Sequence, residues 1–418
     1  MGGHNAASMP TEDAPLVTVI IPNRNRRVLA MRAVLSVYAQ TVKQTEVIVI
    51  DDASSEDVTP LEAVVSAHGG LMLRNSVPIG AARCRNQGIM AARGSLIAFL
   101  DSDDYWLPEK LEKQIALAEA HQKGGGSPDW LASTGLCFLR DGQVYGFQQP
   151  MPESKEPLAD YLYVRGGLLQ TSTLMLPTDL ARRFPFKKDL PVHQDTDFVM
   201  SLEAAGIPLL TDAAQLVIMD SSPRETRITQ GRKGAIASLA WFDQRKDSWS
   251  QAARKGFLRR DQALRWGRAG RPLKGLITLV QGWDGGEPLR VPLANATRIL
   301  FGEKTAEKLL SWVRRYAGKM QVNTLPPAPR KLGQLDHHQF IAPLLMAGEM
   351  APHEAVEDPE AHYGQLTDLA PSGPTTKSRK KLVAPAGPGF DTDFEIHALR
   401  PETDQEKSLP ERPDAPAR

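Results

Sequence analysis

Long apolar runs are missing from this 418-residue chain: none approaches the roughly 18 residues that cross a bilayer, so no membrane span is expected. Cysteine is scarce. Two residues, Cys84 and Cys137, exclude a disulfide scaffold and a four-thiolate zinc site, and they fit a reducing compartment. Net charge is nearly absent as well, with 50 Lys+Arg against 49 Asp+Glu. A nucleic-acid binder is usually basic over a whole domain, so no nucleic-acid partner is expected. Residues 1–15 lack the basic and apolar regions of a secretory signal, and Ala6 stands where a myristoylation signal wants Ser or Thr. The expectation is a cytoplasmic protein, with peripheral contact at the inner face of the cell membrane left open.

What is present is uneven along the chain. The length predicts two or three structural units at about 150 residues each, and 41% hydrophobic residues suffice for a sizeable core. From Leu16 to about Gly206 short apolar runs alternate with helical spacing. Val17–Ile21, Val47–Ile50 and Leu96–Leu100 lack polar alternation, as strands buried on both faces do. Val28–Gln40, Val58–Ala67, Ala81–Ala92 and Pro108–Ala120 read as helices, and strand–helix repetition of this kind predicts a doubly wound α/β sheet. After a glycine-rich loop at Gly124–Pro128, Trp130–Leu139, Gln143–Gln148 and Leu168–Leu176 read as further sheet elements. A helix carrying Phe198, Met200 and Leu202 then stops at Gly206. The divisions expected are a disordered N-terminus over 1–15, a sheet domain over 16–235, a basic helical extension over 236–320 and a disordered tail over 321–418. Fourteen of the 32 prolines fall in that tail.

Acidic residues cluster where strands end, at the edge where open α/β sheets bind ligands. Asp51-Asp52-Ala53-Ser54-Ser55 follows Val47–Ile50; it fits either a polar turn capping the next helix or a site. Asp101-Ser102-Asp103-Asp104 follows Leu96–Leu100. Three carboxylates in four residues repel one another unless a cation or hydrogen-bond donors neutralise them. An Asp-x-Asp unit suits Mg²⁺, which takes one or two carboxylates and completes its shell with water and substrate phosphates. An N-capping acidic turn is the competing reading.

Four segments in order carry a resemblance: Val17–Asn25, Val47–Ser54, Gly80–Ile89 and Ala92–Asp104. Together they resemble the family 2 glycosyltransferases of GT-A fold, over about Leu16–Gly206. The resemblance implies a GT-A-type nucleotide-sugar-binding sheet flanked by helices, a divalent cation (Mg²⁺ or Mn²⁺) and inversion at the anomeric carbon. By the same resemblance Pro22, Arg24 and Asn25 lie against the nucleoside and Asp52 hydrogen-bonds the base. Asp101 and Ser102 lie near the ribose and pyrophosphate, Asp103 ligates the metal, and Arg85 and Asn86 line the donor pocket, with Arg83 a competitor. The implied donor is UDP-linked. The implied acceptor is a saccharide or lipid-linked saccharide of the cell envelope.

His193-Gln194-Asp195-Thr196-Asp197-Phe198 stands where the family usually shows Glu-Asp opening a helix, the Asp being the general base. Asp195 matches it, with Asp197 a rival. A neutral Gln194 removes a negative neighbour, so the pKa of Asp195 is expected to be lowered. In the implied reaction Asp195 takes the proton of the acceptor hydroxyl as that oxygen attacks C1 in one in-line displacement.

Other signals are weaker. Thr171, Ser172 and Thr173 fit either a sheet surface or sugar contacts. Trp241–Arg245 departs from the Gln-x-x-Arg-Trp pattern of processive synthases, so single addition is expected. Between Ala252 and Gly275 eight residues are basic and only Asp261 is acidic; with Phe257, Leu258, Leu264 and Trp266 this stretch fits an anionic membrane surface or a helix packed on the sheet domain. Arg224 and Arg227 could reach phosphate, while His337 and His338 read as surface residues. Two other readings remain. A nucleotidyltransferase would need a glycine after the first strand, which Pro22–Asn25 lacks. The alternative is a non-catalytic sugar-nucleotide-binding or assembly subunit.

Overall fold

A computed structural model describes residues 15–140, 143–147, 149–220, 231–286, 288–319 and 330–331. The expected disordered N-terminus apart from Pro15, Arg224 and Arg227, and the expected tail with its two histidines, apart from Arg330 and Lys331, lie outside the described residues.

The apolar runs form the centre of one mixed sheet. Strands β1 (Val17–Asn23), β2 (Thr45–Asp51), β3 (Leu71–Arg74) and β4 (Leu96–Phe99) are parallel, in the order β3-β2-β1-β4. Period-two alternation splits their side chains between two cores. Ile20, Ile48, Ile50 and Phe99 face one, while Val19, Ile21, Val47, Val49 and Ala98 face the other. Helices α1 (Arg27–Tyr38) and α2 (Thr59–Ala67) cover the second face, and α3 (Ala81–Ala91) covers the first. Gly88 lets α3 approach β1 closely, since a Cβ there would lie 2.5 Å from Ile20 Cγ2.

The sheet then changes sense. The short β5 (Asp104–Trp106) and helix α4 (Lys110–Lys123) lead into the long β6 (Leu131–Arg140) and β7 (Gln143–Gly146). Helix α5 (Leu158–Tyr163) precedes β8 (Met175–Pro177), which pairs antiparallel with β4 and with β6. Leu168–Leu176 is therefore only partly a strand. Thr171–Thr173 form a 3₁₀ turn with all three side chains buried: the Ser172 hydroxyl bonds Asp104 of β5, and the Thr173 hydroxyl bonds the Gln170 carbonyl and meets Ser133 Oγ of β6. Helices α6 (Thr178–Arg183) and α7 (Gln194–Ala204) follow. Then β9 (Leu209–Asp220) pairs parallel with β6 and antiparallel with β5.

Beyond residue 230 the described chain is helical. The first elements, α8 (Arg232–Arg245) and α9 (Gln251–Phe257), share the core of the sheet: Trp241, Phe242, Trp249, Ala253 and Phe257 join the cluster around Ile20 and Phe99. A π-helical turn at Leu258–Gln262 separates α9 from α10 (Ala263–Arg268). Next come α11 (Pro272–Gln281) and α12 (Arg290–Lys319), the latter kinked at Gly302, and a two-residue β10 (Arg330–Lys331) that pairs with β7. The stretch 252–275 does not present its aromatics to a membrane. Phe257 is fully buried and Trp266 is 3% exposed. Several of its cations are engaged within the fold, Arg259 with Asp284 at 2.8 Å and Arg265 with Asp261 at 2.6 Å. No described helix is long and apolar enough to cross a membrane.

Candidate active site at the sheet edge

Strand order β3-β2-β1-β4 places a switch point between β1 and β4, where chain connections leave in opposite directions and open a crevice. The loops after β1, β2 and β4 meet there. Arg24 and Asn25 follow β1 and are exposed, and Pro22 is half-buried at the strand end, paired with Ile50. Asn25 ties two of these loops together. Its backbone N–H donates to Ser54 Oγ at 2.8 Å, and its Oδ1 accepts from the Ser55 N–H at 2.7 Å. Asn25 and Ala53 both hold positive φ, a conformation Asn tolerates better than most residues.

Asp52 is buried and its carboxylate is engaged within the protein. It accepts from the backbone N–H of Ile79 at 2.7 Å and of Gly80 at 2.9 Å, and from Asn75 Nδ2 at 3.3 Å. These bonds fix the start of α3, where Gly80 takes φ 89. Asn86, on α3, clamps the Phe186 backbone with both ends of its amide, at 2.8 and 2.9 Å.

The three carboxylates after β4 meet three different environments. Asp101, with 32% of its side chain exposed, accepts from Arg85 Nη2 at 2.5 Å. Asp103, at 17%, pairs with Arg26 at 2.9 Å. Asp104 is buried and accepts from Ser172 Oγ at 2.6 Å; burial, then the charges of Asp103 and Asp101, push its pKa well above the carboxylate range. Ser172 Oγ also accepts from the Asp101 N–H at 3.1 Å, so the buried 3₁₀ turn sets the position of the acidic loop. Ser102 is buried beside them. Arginine therefore neutralises Asp101 and Asp103, while Asp104 is accommodated by the Ser172 hydroxyl and a raised pKa.

For a divalent cation, the chemistry of the donor set decides. Among the described residues no three His, Cys, Asp or Glu side chains group as a metal site. Asp101 and Asp103 are hard oxygen donors, partly exposed at the crevice. They fit a one- or two-carboxylate site that substrate phosphate and water complete.

Helix α7 brings the third carboxylate group to the same place. Arg85 spans the two: it donates to Asp101 and, through Nη1, to Gln194 Oε1 at 3.1 Å. Gln194 Nε2 in turn donates to the Leu190 carbonyl at 2.7 Å. Asp195 sits in the first turn, accepting from the Thr196 N–H at 2.8 Å. Its pKa is raised rather than lowered. Burial outweighs the Thr196 hydrogen bond and the Arg85 charge, which sequence reasoning about Gln194 alone could not register. Asp197 has a different environment. It is buried and accepts from Trp241 Nε1 at 2.8 Å and Arg245 Nε at 2.6 Å, and it pairs with Lys187 at 3.2 Å. It fastens α7 to α8. Arg83 points elsewhere, to Asp189 at 3.3 Å.

One group escaped the sequence reading. His193 is the N-cap of α7 at φ 61, stacks on Trp241 at 4.3 Å and meets Ser238 Oγ at 2.8 Å and Asp261 at 3.6 Å. Burial pushes its pKa down to about 4. Asp261 lies on the π-helical turn, and Arg265 and His193 outweigh its burial to hold its carboxyl low. The hydroxyl of Tyr163, raised by burial, also feels Asp261 and Asp195. Asp261 showed in the sequence only as a lone acid in a basic stretch.

Residues 18–139 match the family Glycosyl transferase family 2. That segment carries the match to the family 2 glycosyltransferases. Over 237 residues it is 29% identical to the Amylovoran biosynthesis glycosyltransferase AmsB of Erwinia amylovora, covering 55% of this chain and 77% of that one. Over 252 residues it is 27% identical to the Putative colanic acid biosynthesis glycosyl transferase WcaA of Escherichia coli (strain K12), covering 58% and 85%. A 107-residue segment is 36% identical to the UDP-Glc:alpha-D-GlcNAc-diphosphoundecaprenol beta-1,3-glucosyltransferase WfaP of Escherichia coli, covering 26% and 43%. The matched span holds the β1, β2 and β4 edge loops and Arg85, while Asp195 lies C-terminal to it.

Proposed function

We propose that the chain is an inverting, single-addition glycosyltransferase that moves a sugar from a UDP-linked donor to a hydroxyl of a cell-envelope saccharide or lipid-linked saccharide. One observation carries the reading: Arg85 bonds both Asp101 at the donor edge and Gln194 beside Asp195, which holds the start of α7 against the crevice. The polymer names of the AmsB and WcaA relatives support an envelope polysaccharide, and the name of WfaP supports the UDP donor.

In this reading Pro22, Arg24, Asn25, Asp52, Arg85, Asn86, Asp101 and Ser102 form or frame the nucleotide-sugar site. Asp52 and Asn86 act largely through the backbone they hold, given the bonds they already make. Asp103 would hold Mg²⁺ or Mn²⁺, exchanging its Arg26 contact for the cation. A bound divalent cation supplies positive charge against the diphosphate leaving group. Asp195 takes the proton of the attacking hydroxyl, and its raised pKa makes it a stronger base than an ordinary carboxylate. Because a base works deprotonated, turnover should rise with pH through a limb displaced above the usual carboxylate range. The engagement of Asp197 with Trp241 and Arg245 on Oδ1 and with the Lys187 ammonium on Oδ2 supports Asp195 over it for this role.

Thermal unfolding of wild type and Asp103→Ala with UDP, GDP and other nucleotides, each with and without Mn²⁺, tests donor and metal together. A ligand at 100 times its Kd adds about 2.7 kcal/mol. The expected result is a Mn²⁺-dependent rise in Tm with UDP that Asp103→Ala abolishes. No shift with any nucleotide would defeat the donor assignment; a shift with UDP that ignores Mn²⁺ would defeat the metal.

A further inference from the structure

Twelve large apolar side chains are exposed among the described residues, and nine of them lie between Leu273 and Trp312. On α11 they are ordered. Leu273, Ile277 and Val280 recur at i, i+4 and i+7, forming one stripe that is 75%, 59% and 73% exposed. The opposite side of the same helix, Gly275, Thr278 and Leu279, is buried, with Gly275 close to Ile299 of α12. Helix α12 repeats the pattern before its kink. Ala294, Asn295 and Ile299 are buried, while Leu289, just ahead of the helix, Leu293 and Leu300 are exposed. A helix in a two-layer packing needs one apolar side. These two have a second.

Charge indicates what covers it. From Arg254 to Gly302 the sequence holds ten Lys and Arg against three Asp and Glu, in a chain whose total is +1. Three acids in or beside this span, Asp261, Asp284 and Glu303, are matched by Arg265, Arg259, Arg268 and Arg298. The surplus over these acids includes Arg271 and Lys274, which are exposed at the head of α11, the Lys274 ammonium lying over the Trp266 ring at 3.9 Å. Helix α11 itself carries no acidic residue. Apolar stripes bordered by surplus cations suit the boundary of an anionic bilayer, where burial of the stripe and attraction to headgroups act together.

We infer that α11 and the first half of α12 form a face that docks on an anionic lipid bilayer. This differs from a basic surface over 252–275: Phe257 and Trp266 stay in the core, and Leu273, Ile277, Val280, Leu293 and Leu300 supply the apolar contact. The inference rests on the stripe and its charge, independently of the sugar chemistry.

Flotation of the full chain with phosphatidylcholine vesicles, with and without phosphatidylglycerol, tests it. The expected result is binding to the anionic vesicles, weakened by salt and at least roughly tenfold weaker in a Leu273→Gln/Ile277→Gln/Val280→Gln variant. Arg271→Glu/Lys274→Glu should lose anionic selectivity. The triple variant should keep its UDP-dependent Tm shift, so failure here and failure of the donor reading are distinguishable. Three results would overturn the inference. One is a full-length monomer indifferent to both vesicle types, as cover by the chain's own segments would give. Another is a stable oligomer that the triple substitution dissolves, which would make a second copy the occupant. The last is vesicle binding that the triple substitution leaves intact.

Discussion

Between Leu16 and Asp220 only Val77 and Met151 expose a large apolar side chain among the described residues; between Leu273 and Trp312 nine do. The sheet region hides its apolar surface on both faces and spends its polar groups inside, on loop-to-loop bonds at the β1–β4 crevice. The helices α11 and α12 hide one side and leave the other open. Between these extremes, α8 and α9 belong structurally with the sheet, because Trp241, Trp249 and Phe257 complete its core. Charge alone does not distinguish a docking surface from a packed helix. What distinguishes them is where the apolar side chains next to the charge point.

The comparison can be broken most forcefully at Asp197. If it fastens α7 to α8, Asp197→Ala strands Arg245, Lys187 and the Trp241 N–H, and should cost about 3–5 kcal/mol in urea unfolding. A loss under roughly 1 kcal/mol would mean that α8 is not held as described.

His193 sharpens the same seam. It is neutral in the fold, with a pKa near 4 against an unfolded value near 6.5. The unfolded chain therefore binds the extra proton, and the stabilisation is present above pH 6.5 and lost as pH falls toward 4. The loss should be on the order of 2–3 kcal/mol. His193→Asn, which tolerates the positive φ, should flatten that slope. An unchanged slope would place the proton uptake elsewhere.

Asp104 works in the opposite sense. Its folded pKa is raised, so its contribution is fully present at low pH and declines as pH rises through the carboxylate range. Asp104→Asn keeps an acceptor for the Ser172 hydroxyl and should stabilise the protein by about 1 kcal/mol at neutral pH. A lower Tm at neutral pH would contradict the assignment. Smallest of all is the effect of the Leu273→Gln/Ile277→Gln/Val280→Gln variant on stability. A stripe in solvent should tolerate each change within about 0.5 kcal/mol, whereas a packed stripe would not.

Much of the sheet was legible in the sequence because its signals are local. Val17–Ile21 and Val47–Ile50 are unbroken β-branched runs, and the acids that follow them mark strand ends. The grouping of Asp101–Asp104 was legible too, but its neutralisation by Arg26 and Arg85 was not, since those partners come from other loops. Asp197 and Asp195 differ by two residues in sequence and by their whole surroundings in space. The approach of Trp241, Arg245 and Lys187 to Asp197 separates them. The pKa of Asp195 was misread for the same reason: the sequence shows Gln194 but not burial. The stretch 252–275 looked amphipathic by composition, yet the π-helical turn at Leu258–Gln262 keeps the cations Arg259 and Arg265 paired within the fold.

The most direct test of the central claim is Asp195→Asn, measured for UDP-sugar binding and for transfer to a saccharide acceptor on the same preparation. If Asp195 is the base at the crevice, donor affinity should stay close to wild type while transfer falls by roughly 10²- to 10⁴-fold. Transfer at the wild-type rate in Asp195→Asn would contradict it.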